Sequence, residues 1–98
     1  MILEKGLQKK LEDKLYNYQE MKQKDINNPW VKVVDEILKY YKGDIHEEII
    51  RYNYFEQYKL KKIFTLMCIE KTAYYDLRED IIYHLAFLGQ KYGLIEPV

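Results

Sequence analysis

A chain of 98 residues and 12.0 kDa supports one hydrophobic core and is too short for two. Its 48% hydrophobic and 33% charged residues exclude a disordered tail, its single Cys excludes an internal disulfide framework, and 4 Gly and 2 Pro against 11 Tyr argue against a turn-rich barrel. The 16 basic and 16 acidic side chains cancel, which excludes attachment to nucleic acid by bulk charge alone.

The first predicted helix covers residues 3–25. Leu3, Leu7, Leu11, Leu15 and Tyr18 recur every three or four positions and form one apolar stripe, while Glu4, Lys5, Lys9, Lys10, Glu12 and Lys14 fill the other faces. So narrow a stripe suits either packing on the chain's own core or a seam shared with a second subunit. Asn27-Asn28-Pro29 breaks the pattern. Asn28 is placed to cap, and Pro29 suits the first position of a second helix, whose buried face is Trp30, Val33, Val34, Ile37, Leu38 and Tyr41. Gly43 stops it. Residues 1–42 therefore read as an antiparallel helical hairpin, and a dimer would be joined either by this hairpin or by the C-terminal end.

Asp44 and Glu47 have the spacing of a capping box, so a third helix is expected over 45–57 with Ile45, Ile49, Tyr52 and Phe55 inward. After a break at Tyr58-Lys59, a two-turn helix carries Leu60, Ile63, Phe64 and Met67. The last helix starts near Lys71 and turns Tyr74, Leu77, Ile81, Leu85 and Leu88 inward, with Ile82 beside them. Gly89 and Gly93 bracket its end, and Leu94-Ile95 is expected to fold back on the core. No linker or internal repeat divides the chain. The fold class is all-α, one helical domain over 1–98, with residues 44–92 as a helix-turn-helix unit behind the hairpin.

Charge is uneven along this order. Residues 1–42 carry +2, 43–58 carry −3, and 59–78 carry +3 from Lys59, Lys61, Lys62, Lys71 and Arg78 against Glu70 and Asp76. A short helix, a tight turn plugged by Ile69 and a longer helix leave the start of the second helix exposed. Its unpaired backbone N–H groups and positive dipole end favour a phosphate or a base edge. Helical hairpins with no nucleic-acid role share this pattern. No nucleophile-base pair, phosphate loop or His-Glu-x-x-His is present, so no enzyme is expected. His46 and His84 lie far apart in sequence, so no metal or cofactor is expected either. Cys68 reads as a small buried hydrophobe. With no apolar run of bilayer length and no signal-peptide core at the N-terminus, a cytoplasmic, reducing setting without membrane contact is expected.

Tyr54-Phe55-Glu56-Gln57-Tyr58-Lys59-Leu60-Lys61-Lys62-Ile63-Phe64 resembles a stretch in region four of sigma factors. Ile69-Glu70-Lys71-Thr72-Ala73-Tyr74-Tyr75-Asp76-Leu77-Arg78 resembles the turn and recognition helix of small phage-encoded transcriptional regulators of the ArpU/RinA type, with their paired tyrosines and following Arg. The resemblance implies sequence-specific binding of double-stranded DNA by a homodimer, RNA polymerase as a further partner, and a bacterial host cytoplasm. It implies base contacts from Lys71, Thr72, Tyr75 and Arg78, flanked by Glu70 and Glu79, with Arg78 reaching guanine O6 and N7. Lys59, Lys61 and Lys62 would hold the DNA backbone. Where that pattern has Gly in the turn this chain has Met67 or Cys68, and where it has Ser or Thr at the helix start this chain has Glu70. The alternative reading is a helical protein-protein module, such as a phage assembly or packaging adaptor. Zero net charge and abundant tyrosine suit that role.

Overall fold

The computed structural model describes residues 3–97 and is all-helical, with no strand among them. Its helices are α1 (Lys5–Tyr16), α2 (Tyr18–Lys24), α3 (Pro29–Tyr40), α4 (Ile45–Ile49), a π-helix (Ile50–Phe55), α5 (Leu60–Met67) and α6 (Lys71–Lys91). The 21-residue α6 is the spine. α3 packs along it, α1 wedges between α6 and the π-helix, α4 lies on α6, and α2 lies on α3.

The expected first helix is divided at Asn17, a residue with φ −98° and ψ 6° whose N–H still reaches Asp13 O at 2.9 Å. Its apolar stripe is used inside the chain: Leu3, Leu11, Leu15 and Tyr18 are buried in the common core, with Leu7 packed against it. That stripe therefore offers no seam to a second subunit. Residues 1–42 are also no separate layer, because α1 contacts the π-helix and α6 as well as its neighbours α2 and α3.

The start of α3 follows the local chemistry of its residues. Asn28 Oδ1 accepts from the Trp30 N–H at 2.9 Å and Pro29 opens the helix. At the end of α6, Gly93 adopts φ +70°, Leu94 N–H donates to Gly89 O at 2.7 Å, and Gly93 N–H donates to Gln90 O at 3.0 Å. This Schellman closure turns Leu94 and Ile95 back onto the core. A Cβ on Gly89 would sit 3.1 Å from the Trp30 ring and 3.3 Å from Ile95, so the glycine lets α3 and the tail approach α6 closely.

The segment expected as a third α-helix differs most. After Ile49 the backbone widens into a π-helix, with Glu56 N–H donating five residues back to Arg51 O at 2.8 Å. The wider turn brings adjacent pairs to one face, so Ile49 and Ile50, then Asn53 and Tyr54, point inward. Ile45, in α4 ahead of the wider turn, is exposed, while Tyr52 and Phe55 are half-buried and pack against the core beside these residues. The capping box is not formed as drawn either. Asp44 Oδ1 accepts from the N–H of Ile45 at 2.6 Å, while the Glu47 N–H donates to the Asp44 backbone carbonyl at 3.0 Å.

Candidate nucleic-acid interface

α5 and α6 meet at a turn in which Cys68 takes the left-handed conformation, φ 53° and ψ 43°. A non-glycine residue therefore fills the position where glycine is usual. Cys68 is exposed, not buried, because the reversed backbone swings its side chain outward. Ile69 and Met67 pack against the core on either side of it, and Phe64 meets the Tyr74 ring edge-on at 5.4 Å. Tyr74 is fully buried, and its hydroxyl donates to Asn53 Oδ1 at 3.0 Å. Together these contacts fix α5 against the π-helix and α6.

Beyond that junction the first turns of α6 stand clear. Glu70 precedes the helix without a side-chain cap, and Lys71, Thr72, Ala73, Tyr75 and Asp76 are exposed, as is Glu79 further along. Lys59, Lys61 and Lys62 are exposed at the start of α5. None of these three lysines, nor Lys71, forms an ion pair among the described residues. Lys62 Nζ lies 3.8 Å from the Tyr58 ring centre, a cation-π contact that holds the ammonium at the surface. Lys71 sits 6.0 Å from the Tyr75 ring. Lys59, Lys61, Lys62, Thr65 and Leu66 surround a shallow hollow of about 400 Å³.

Arg78 is placed differently from the expectation of a guanine reader. Its Nε and Nη2 both donate to Glu12 Oε1 of α1, at 2.7 and 2.6 Å. The same oxygen accepts the Tyr54 hydroxyl at 2.7 Å. The Nε and Nη2 edge of the guanidinium is thus filled by a carboxylate, and only its Nη1–Nη2 end remains for another acceptor. Arg78 is instead a strut between α1, the π-helix and α6. Sequence reasoning missed Glu12 as its partner. That residue lies on the polar flank of the α1 stripe, and no local signal separates it from Glu4 or Lys14. Beside the strut, Gln8, Tyr75, Arg78, Glu79, Ile82 and Tyr83 line a cleft of about 320 Å³ between α1 and α6.

A second polar cluster ties α4 to α6. His46 bridges Asp80 through Nε2 at 2.9 Å and Asp44 through Nδ1 at 3.2 Å, and stacks on Tyr41 at 4.5 Å between ring centres. His84 reaches the Tyr41 hydroxyl through Nδ1 at 3.3 Å, so the two histidines distant in sequence share one tyrosine. Burial lowers the pKa of His84.

Burial holds four tyrosines among the described residues in their neutral form. Burial, and then the Asp80 carboxylate, push Tyr41 up to about 12. Burial, then the negative charge of Glu12, raises Tyr54 further, and burial also leads the upward shifts of Tyr74 and Tyr18. A phenol with a folded-state pKa above its unfolded value keeps its proton more tightly in the native chain. Its contribution to stability is complete below about pH 10 and is lost as pH rises through the folded value. Alkaline titration is therefore expected to unfold the protein between about pH 10 and 12, with the last of the tyrosinate absorbance rising together with loss of helical circular dichroism. Full tyrosinate absorbance reached while the helix signal stays constant would show that these hydroxyls are freely titrating.

No protein-family model matches the chain, and neither a curated protein nor a solved structure shows significant similarity to it. The likeness to phage regulators and sigma region four thus stands on the two quoted stretches alone.

Proposed function

We propose that this chain is a double-stranded DNA-binding transcriptional regulator of phage type that sets the start of α6 in the major groove. The observation that carries the reading is the exposure of four lysines without ion pairs among the described residues, Lys59, Lys61 and Lys62 at the start of α5 and Lys71 at the uncapped start of α6. Phosphates are drawn to such a group by charge and by free backbone N–H donors together. In this reading Lys59, Lys61 and Lys62 grip the backbone, and Lys71 reaches a phosphate or base edge. Thr72 and Tyr75 supply hydroxyls and apolar contact to thymine methyl groups. Arg78 acts through α1 by fixing the angle at which α6 is offered. The resemblance to sigma region four is what supports RNA polymerase as a further partner.

Selection from randomised duplexes, followed by fluorescence anisotropy over a salt series, tests the proposal. A short enriched motif is expected. Replacing Lys59, Lys61 and Lys62 by Ala should weaken binding equally for all duplexes and flatten the salt dependence by about 0.9 in log-log slope for each phosphate that is no longer neutralised. Thr72→Ala and Tyr75→Ala should change base preference instead. The absence of any enriched motif, with equal weak binding to every duplex, would reject the reading. One observation then favours the adaptor role: Leu66 is 47% exposed among the α5 lysines, an apolar group for which a phosphate backbone has no counterpart.

A further inference from the structure

Tyr40, at the end of α3, is the most exposed large apolar side chain among the described residues, at 70%. Its ring is nevertheless held, standing edge-on to His84 at 4.7 Å and to Tyr41 at 4.9 Å between centres. Pro29, Lys32, Glu36 and Tyr40 follow one another at intervals of three and four and so share one face of α3. At the other end of that face, Pro29, Lys32, Glu36 and Tyr92 line a mostly apolar hollow of about 280 Å³. Tyr92 closes it from the end of α6, its hydroxyl donating to Glu36 Oε2 at 2.8 Å.

A projecting ring at one end of a helix face and a hollow at the other make that face complementary to itself. A two-fold axis through the middle of α3 sets two copies antiparallel and lays each ring against the other copy's hollow. The same register brings Glu36 of one copy to Lys32 of the other. The charges suit this pairing. Glu36 lies one turn from Lys32 but is turned toward Tyr92, and Lys32 has no ion pair among the described residues. Phe87, one turn beyond His84 on α6, is 60% exposed.

We propose that a second copy of this chain docks on the outer face of α3, Tyr40 of each copy entering the hollow between Pro29, Lys32, Glu36 and Tyr92 of the other. The contact leaves the start of α6 open, about 20 Å along the helix from His84 at 1.5 Å per residue. It stands without the DNA reading, and its measurement contains no DNA, so failure of one is distinct from failure of the other.

Sedimentation equilibrium of the full chain from about 1 µM to about 1 mM tests the dimer. The expected result is a reversible rise from the 12.0 kDa monomer to twice that mass. Tyr40→Glu should weaken association at least about thirtyfold, as removal of a central aromatic anchor does, with an unchanged circular dichroism spectrum. Should that variant disturb the fold, Tyr40→Ala probes the same contact. Lys32→Glu sets carboxylates against each other across the axis and should also weaken it, and adding Glu36→Lys to Lys32→Glu should restore association. A monomer at every concentration, a dimer indifferent to Tyr40 substitution, or a charge exchange that recovers nothing would each overturn the proposal.

Discussion

Glu12→Ala is expected to lower the unfolding free energy by about 2–4 kcal/mol, measured as a shift in the urea midpoint at constant slope. One carboxylate oxygen accepts the Tyr54 hydroxyl and both Arg78 Nε and Nη2. Removing it strands a guanidinium whose side chain is only 29% exposed, beside a fully buried phenol. Breaking a fully buried pair costs about 3–5 kcal/mol, whereas an exposed pair contributes about 0–1. Glu12 at 13% and Arg78 at 29% lie toward the buried end, which sets the range. Arg78→Ala should cost a similar amount and leave base preference among bound duplexes unchanged, the opposite of what a guanine-reading arginine would do. Replacing Glu12 and Arg78 with Leu and Met, together with Tyr54→Phe, should recover much of the stability, because the pair's own desolvation cost disappears and no buried hydroxyl is left without a partner. A loss under about 1 kcal/mol for Glu12→Ala would mean that solvent screens the cluster, and the strut would carry no structural role.

Tyr74→Ala is the second large effect, expected at about 3–5 kcal/mol, as for other large-to-small changes of buried aromatic side chains. The ring fills the junction of α5, the π-helix and α6, meeting Phe64 and Tyr75 edge-on. Its hydroxyl is the hydrogen-bond partner of Asn53, whose Nδ2 already lacks one. Tyr74→Phe keeps the packing and leaves the buried Asn53 amide wholly unpaired, a cost of about 1–3 kcal/mol. Hydrogen exchange in Tyr74→Ala should accelerate first over residues 60–67, since α5 has few other anchors besides Ile63 and Phe64. Duplex affinity should fall with it, because Lys59, Lys61 and Lys62 are then no longer held at a fixed distance from Lys71. Uniform acceleration over the whole chain would instead place Tyr74 in the global core without a special role at the junction.

The inward stripes of α1, α3 and α6 were legible because a helix repeats its faces every three or four residues, whatever it packs against. Leu11, Leu15, Val33, Val34, Ile37, Tyr74, Ile81 and Leu85 are buried as their spacing requires. The stops were legible too, since Asn28-Pro29 and Gly93 act on the backbone within a turn of themselves. Tyr52 and Phe55 flank the core rather than fill it because a π-helical turn has no local sequence signature. Its register is chosen by what it buries, here Ile50, Asn53 and Tyr54 against α1 and α6.

Among the site residues, the exposure of Lys59, Lys61, Lys62, Lys71, Thr72 and Tyr75 follows from their place opposite the apolar face of their own helices, which the sequence alone determined. The fate of Arg78 did not follow from it. Whether that guanidinium faces solvent or a carboxylate depends on Glu12, sixty-six positions earlier in the chain. Periodicity tells which way a side chain points but not which partner waits there. That pairing of charges across distant helices was decided only when α1 packed against α6.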